Sequence, residues 1–254
     1  MHVLYTNQEK GANDVVAVFN TVEAVVTRVV RGKDRLGDRC GEVAMELVKR
    51  VNSDYGKEIV LLLSGTNTAY QAKSVLRMLT AMVTLGPTQA REVLMKVNWE
   101  HDNWDTLSKR SSKKDPPDVR TCFIHFLLSF LFEPSPLVLK DFFSLKTRLA
   151  SLFPGLMQDQ AETVMLVLET LRYKVLDNQA VSKTQKMKVF ASHNIKPLLA
   201  LLKWTGPKKS EGTEGDDEEK EVVEESVIAF LKVLLGSTKH GVVFPDPAVG
   251  QGAP

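Results

Sequence analysis

Clusters of lysine and arginine are the side chains of this chain whose types and spacing could do chemistry. Several cations within reach of one another bind a nucleic acid because its phosphates release their counterions. Solvated helix faces explain such clusters equally well, so both interpretations stay open. The clusters comprise Lys109, Arg110, Lys113 and Lys114, then Lys183, Lys186 and Lys188, and also Arg28, Arg31, Lys33, Arg35 and Arg39. The residues that we predict to contact RNA or a protein partner are Arg110, Lys113, Lys114, Lys183, Lys186 and Lys188.

Motifs of known catalytic chemistry are absent from the sequence. It contains no G-x-x-x-x-G-K-[ST] phosphate loop, no G-x-G-x-x-G, no G-x-S-x-G elbow and no H-E-x-x-H. None of the five histidines is spaced with a second histidine or a cysteine as in a zinc pair. His101 and Asp102 could be read as a general base and the carboxylate that orients it. Adjacent residues on a helix point in different directions, however, so a surface loop is the favoured interpretation. We predict that the protein is not an enzyme and has no catalytic residue, cofactor, metal or small-molecule substrate.

Isolated reactive or aromatic side chains are predicted to be structural. His125 lies in a strongly apolar segment and is expected to be a core histidine with its hydrogen bonds satisfied. Cys40 and Cys122 are far apart and lack charged neighbours that would depress their pKa, so we expect inert thiols, no disulfide and a reducing compartment. Trp99, Trp104 and Trp204 could stack on bases, but for all three an anchor that packs a loop onto helices is the commoner role.

Charge is distributed unevenly along the chain. The formal net charge is +2, yet residues 211–225 hold nine acids and one lysine, so this segment carries −8 and the remainder +10. The acidic segment could pair with a basic protein or shield a basic groove, although a solvated linker is the commoner reading. The N-terminus does not resemble a signal peptide, and the most apolar run, residues 123–132, falls far short of the ~20 residues of a bilayer span. We predict an intracellular protein without membrane contact.

Apolar residues at helical spacing predict the elements that must position these side chains. Residues 69–97 form the strongest unit, in which Val75, Leu79 and Met82 share one face, Gly86 and Pro87 mark a turn, and a second apolar arm follows. Such a hairpin has to bury its apolar faces against similar neighbours. Further helices are predicted at about 13–30, around 43–51, from 59 after a break at 55–56, and at 118–133, 137–153, 159–175, 183–190, 195–204 and 218–235.

The apolar stripes of these helices also predict which side chains are buried. The second helix is expected to bury Val43, Leu47 and Val51. The first is expected to bury an apolar stripe, which comprises Val15, Val18, Phe19, Val22, Val25, Val26 and Val29. The helix at 118–133 is apolar nearly all round, which predicts a fully buried element.

The spacing of the strongest helices predicts the architecture. They centre near Met82, Leu128 and Leu168, about 40 to 46 residues apart, which falls in the ~40–47-residue period of HEAT and armadillo repeats. We predict an all-α, HEAT/armadillo-like α-solenoid of antiparallel helical hairpins, with an irregular helical bundle as the alternative. The predicted division is a leader at 1–12, a helical-repeat body at 13–205, an acidic disordered loop at 206–217, the last helix at 218–240 and a disordered tail at 241–254.

Five strings occur together in an order that resembles one known family. They are LTAMVTLGPTQAREVL (79–94), DVRTCFIHFLLSFL (118–131), SKTQKMKVF (182–190), LLKWTG (201–206) and KHGVVFPDP (239–247). As a set they resemble the N-terminal domain of the nucleolar pre-ribosomal-associated protein 1 family. The resemblance implies a large helical-repeat scaffold of the nucleolus that acts on precursor ribosomal RNA, with assembly factors that include a DEAD-box helicase. Because this chain is far shorter than those proteins, it is expected to be an N-terminal piece.

Two functions follow from these observations. The first is a non-enzymatic scaffold in early nucleolar assembly of the large ribosomal subunit, which docks other assembly factors and takes precursor rRNA as a further candidate partner. The alternative is a generic HEAT/armadillo adaptor that binds proteins and makes no direct RNA contact. Salt-dependent RNA binding by the purified chain would separate the two.

Overall fold

The computed structural model describes residues 11–32, 38–61, 69–85, 116–132, 152–153, 155–190, 192–207 and 216–236. Within these ranges every regular element is a helix and no strand occurs. The prediction of an all-α fold is therefore confirmed, while the repeated solenoid arrangement stays a prediction. The chain divides into two compact units, residues 1–138 and residues 139–254.

The first unit is built around one central helix. Its described elements are α1 (Gly11–Arg31), α2 (Asp38–Leu61), α3 (Ala69–Leu85) and α4 (Pro117–Phe132). Helix α3 packs against α1 on one side and α4 on the other, and α2 contacts both α1 and α3. The first arm of the predicted hairpin is thus confirmed as α3, whereas the second arm at 87–97 lies outside the described residues.

Helices α3 and α4 form where the apolar pattern predicts them. In α3, Val75, Leu76, Leu79 and Val83 are completely buried because two neighbouring helices cover most of its circumference. The largely apolar sequence of α4 is buried at seven apolar positions: Val119, Phe123, Ile124, Phe126, Leu127, Leu128 and Leu131. The prediction of a fully buried element is wrong on one face, where His125 is exposed and Thr121 and Cys122 are half-buried. Pro117 opens α4, a position where the missing N–H of proline has no helical partner to lose.

Helix α2 differs from its prediction in two respects. It runs without interruption through Tyr55 and Gly56, so the predicted break there is wrong. Glycine disfavours a helix interior by about 1 kcal/mol, a cost that burial of an apolar side chain such as Ile59, only 1% exposed, can offset. The predicted core residue Val43 is 67% exposed, and Ala44 and Val48 face the core instead.

Helix α1 buries most of the face that the sequence predicts. Phe19, Val22 and Val26 are buried as predicted, whereas Val25 is 43% exposed and Val16 is buried in addition. Valine occupies so many positions of α1 that the sequence alone leaves several rotations of the helix about equally apolar. Packing against α3 selects one of these rotations.

The second unit combines α-helices with 3-10 and π-helical turns. Helix α5 (Ala161–Thr170) continues into a π-helical turn at Leu171–Leu176, and α6 (Lys183–Val189), α7 (Ser192–Ala200) and α8 (Asp216–Gly236) follow. Two 3-10 turns, Leu156–Gln158 and Leu201–Lys203, complete the described elements. Helix α8 packs against α5 and against the 3-10 turn after α7. The four predicted helices of this unit are confirmed, with shifts of a few residues at their ends.

Side-chain anchors fix the short elements of the second unit. Trp204 is buried and its Nε1 donates a hydrogen bond to the carbonyl of Asp159 at 3.1 Å, which confirms the predicted anchoring role. Ser182 caps α6: its hydroxyl accepts from the backbone N–H of Gln185, whose side chain accepts from the backbone N–H of Ser182. No helix among the described residues is long and apolar enough to cross a membrane.

Candidate functional site

The predicted basic contact residues differ in what the structure shows of them. Arg110, Lys113 and Lys114 lie outside the described residues, so their role stays a prediction. Lys183 is exposed at the first position of α6 and is accessible to a partner. Lys188 lies in the same helix, but its side chain is not among those described.

Lys186 is a correction, because the structure buries it. Only 5% of the residue is exposed, and its Nζ donates a hydrogen bond of 2.7 Å to the carbonyl of Leu176. Lys186 shares a helical face with Val189 and Phe190, which are both buried, so α6 turns this lysine into the core. Burial lowers the pKa of Lys186, an effect that nearby Asp177 opposes. The side chain holds the end of the π-helical turn and is unavailable to a phosphate.

A groove in the first unit is the candidate site. Helix α3 forms its floor, and α1 and α4 form its two walls, with a volume of about 480 Å³. Nine of the eleven described lining residues have polar side chains, although apolar atoms contribute most of the surface that the groove exposes. The polar lining residues are Glu23, Thr27 and Arg31 from α1, Arg77, Thr80 and Thr84 from α3, and Thr121, Cys122 and His125 from α4. We call this the α1–α3–α4 groove.

The sequence contains a signal for this groove that the apolar analysis passed over. Polar residues recur at helical spacing on each helix, for example Arg77, Thr80 and Thr84 at i, i+3 and i+7. Thr27 and Arg31 are likewise four residues apart. Only the tertiary packing of α1, α3 and α4 brings the three stripes to one place.

Two ion pairs connect the floor helix to its walls. Arg77 donates to Glu23 of α1 at 2.9 Å, and Lys73 donates to Asp118 of α4 at 2.8 Å. The hydrogen bond to Lys73 lowers the pKa of Asp118, and the same bond raises the pKa of Lys73. Exposed pairs of this kind contribute about 0–1 kcal/mol each, so they orient the helices more than they stabilise the fold.

Threonine hydroxyls present acceptors to the groove. The Oγ1 of Thr80 donates its hydrogen to the carbonyl of Leu76 at 2.8 Å, and that of Thr84 donates to the carbonyl of Thr80 at 2.8 Å. A hydroxyl has one donor and two acceptor lone pairs. Since the donors are used within α3, the oxygen atoms of Thr80 and Thr84 offer lone pairs.

Cys122 and His125 are both neutral groups of the α4 wall. Burial raises the pKa of the Cys122 thiol, although Lys73 and Arg77 act in the opposite direction. His125 is exposed to the groove, so the prediction of a core histidine is wrong, and partial burial lowers its pKa. Because burial raises its pKa, the Cys122 thiol is predominantly protonated at neutral pH, as expected for an unreactive cysteine. No group of three or more potential metal ligands occurs in the described ranges.

Two exposed arginines without an ion pair to any described residue lie in the last turn of α1. They are Arg28 and Arg31, which lie three residues apart. Arg31 lines the groove, where Arg77 is already paired with Glu23. The charged lining residues comprise two arginines and one glutamate, so the groove has an excess of positive charge.

Comparison with known proteins identifies what the chain is similar to. The model of the Npa1 family, described as ribosome 60S biogenesis N-terminal, matches residues 3–252. Nucleolar pre-ribosomal-associated protein 1 of mouse is 28% identical over 254 residues, which cover 97% of this chain and 11% of the relative. The human protein of the same name gives the same identity and coverage. The chain thus spans about a ninth of the length of these curated relatives. No solved structure matches it.

Proposed function

The chain belongs to the ribosome 60S biogenesis N-terminal family, and we propose that it acts as a non-enzymatic scaffold in early nucleolar assembly of the large ribosomal subunit. The observation that carries this proposal is the family match over nearly the whole chain. The names of the mouse and human relatives, which describe a nucleolar and pre-ribosome-associated protein, support the location. The proposed partners are other assembly factors, including a DEAD-box helicase, and precursor rRNA.

The proposed mechanism is positioning rather than bond chemistry. Helical units of this kind present long faces to partners while their cores stay rigid. Helix α3 packs against a helix on each of two sides, and an ion pair at each contact helps to orient that neighbour. A partner bound to the first unit would therefore meet a preformed surface, which lowers the entropic cost of binding.

Sedimentation of cell extract tests the proposal. The tagged full chain is expected to co-sediment with precursors of the large subunit, and particles purified through the tag should contain precursor rRNA of that subunit. Precursors of the small subunit, analysed in the same gradient, are the matched control. Migration of the chain only as a free protein, or equal recovery of both classes of precursor, would contradict the proposed function.

A protein-binding adaptor without RNA contact is the second candidate, and one observation favours it. Three of the described cations are engaged in internal contacts: Lys186, a predicted RNA contact, with Leu176, Arg77 with Glu23 and Lys73 with Asp118. The purified chain should be titrated with structured precursor rRNA across a salt series. A steep fall of log K with log salt supports RNA contact, and no binding at low salt supports the adaptor.

A further inference from the structure

The α1–α3–α4 groove has a chemistry that goes beyond general scaffolding. We propose that it binds one unpaired nucleotide of an RNA strand, with the phosphate at Arg31 and the base between His125 and the threonine oxygens of α3. The inference rests on the proposed function for the identity of the RNA, which would be precursor rRNA. The groove itself supplies the arguments for a nucleotide.

The dimensions of the groove suit a small group rather than a protein element. Its volume of about 480 Å³ lies within the ~300–1,000 Å³ of small-ligand pockets. A partner helix would need a hydrophobic groove with pockets for residues at i, i+3, i+4 and i+7. Among the described lining residues Val30 and Ala81 are the aliphatic ones, and two aliphatic side chains do not make the row of pockets that a partner helix needs, although much of the groove surface is apolar.

The phosphate position follows from Arg31, which has no ion-pair partner in the part of the chain that the structure describes. Arg31 carries a guanidinium that can bind a phosphate through two parallel hydrogen bonds. It forms no ion pair with a described residue, and Arg28 lies one helical turn away on the same side of α1. Arg77 is held by Glu23 at 2.9 Å, so it contributes less to binding an anion. A strand that enters at the end of α1 therefore meets Arg28 and Arg31 first.

The base position follows from the neutral groups that line the groove. Thr80 and Thr84 offer two acceptor oxygens, which match the two N–H donors of the exocyclic amine of adenine or cytosine, whereas uracil presents a single N3–H donor. His125 is exposed to the groove, and histidine rings are among the side chains on which unpaired RNA bases stack. Its lowered pKa keeps the ring neutral at pH 7, so it does not compete for the phosphate. The groove should thus prefer a base with an amino group over uracil.

Binding of short unstructured RNA to the full chain tests the inference. The probes are the decamers A10 and U10, measured by fluorescence anisotropy at low salt. We expect A10 to bind more tightly than U10, and Arg31→Gln to weaken A10 binding by about tenfold and to reduce the salt slope by about one. Thr84→Val should reduce the preference for A10 over U10 without reversing the charge of the groove.

Matched controls keep the test specific to the groove. Lys49→Gln removes an exposed cation from α2, which does not line the groove. It should change A10 affinity less than about twofold, because salt and solvent screen an exposed charge outside the groove. Cys122 lines the groove and Cys40 of α2 does not, so A10 should slow alkylation of Cys122 alone. Circular dichroism of each variant checks that the helices are retained.

Three results would overturn the inference. The first is an equal loss of A10 affinity in Arg31→Gln and Lys49→Gln. The second is A10 binding that leaves the alkylation rate of Cys122 unchanged. The third is that Cys122 in purified particles stays protected from alkylation after complete RNase digestion. The last result would assign the groove to a protein. If the chain co-sediments with large-subunit precursors but gives any of these three results, the nucleotide site is refuted and the proposed function stands. If the chain does not co-sediment with them, the proposed function is refuted even if A10 binds.

Discussion

At the scale of single residues, Lys186 shows how position decides between a binding group and a structural one. The KTQKMK motif places three lysines in one helix, and sequence alone treats them alike. The structure separates them because Lys186 shares its face with Val189 and Phe190 and donates to the carbonyl of Leu176. Its contribution is therefore to the stability of the second unit.

Replacing Lys186 by methionine tests this assignment. Methionine keeps an apolar stem of similar length but leaves the carbonyl of Leu176 without its donor, so we expect a loss of about 1–3 kcal/mol in the free energy of unfolding. Urea denaturation followed by circular dichroism measures it. Lys183→Met is the control, since Lys183 is exposed and a surface change should stay within about 0.5 kcal/mol. Equal effects of the two variants would argue against a structural Lys186.

His125 predicts a pH dependence of stability. Burial lowers its pKa in the folded state below the unfolded value of about 6.5. The unfolded chain then binds more protons in this range, so the contribution of neutral His125 is complete above about pH 6.5 and is lost as pH falls toward the folded pKa. Arg31, Arg77, Cys122 and Glu23 also line the groove around this ring.

The matching experiment compares the wild-type chain with His125→Gln between pH 7.5 and 5.5. The variant should lose less stability over this range, measured by urea unfolding, because the other titrating groups are common to both chains. Parallel curves for the two proteins would mean that His125 titrates as it does in the unfolded chain.

At the scale of elements, the helices were easier to predict than their rotations. Helices α3 and α4 follow from strong apolar periodicity, and Pro117 fixes where α4 begins. The buried face of α1 is predicted correctly at Phe19, Val22 and Val26 but not at Val25, because valine at so many positions leaves the edge of that face ambiguous. The groove was missed for a related reason: its polar stripes are meaningful only after three helices, distant in sequence, have packed together.

Glycine in α2 gives a prediction at this scale. Gly41 lies inside the helix, and a β-carbon added there would meet no atom within 4 Å. Gly41→Ala should therefore raise the free energy of unfolding by about 0.5–1 kcal/mol, since alanine loses less backbone entropy on folding. A thermal or urea unfolding curve measures the gain.

Gly206 provides the opposite case and serves as the control. Its φ of +72° is strained for other residues, and an added β-carbon would lie 3.1 Å from the ring of Trp204. Gly206→Ala is expected to destabilise the fold, because it combines backbone strain with a contact against the buried tryptophan. Stabilisation by Gly206→Ala, or destabilisation by Gly41→Ala, would contradict this account of the two positions.

At the scale of the whole molecule, two helical units carry a net charge that is close to neutral in total but strongly divided along the chain. Residues 211–225 contribute −8 and the remainder +10. The described cations are partly used in internal contacts, as Lys73, Arg77 and Lys186 show. Arg28 and Arg31 remain accessible beside a groove with acceptor oxygens. This arrangement fits a scaffold that touches RNA at a few defined points rather than along an entire basic face.

Depletion of the chain from its own cells tests the central claim most directly. The ratio of large to small ribosomal subunits, read from a sucrose gradient after depletion, is the quantity to measure. The proposed role predicts that this ratio falls, that early precursors of the large subunit are lost or stalled, and that re-expression of the wild-type chain restores both. An unchanged subunit ratio after complete depletion would contradict a role in large-subunit assembly.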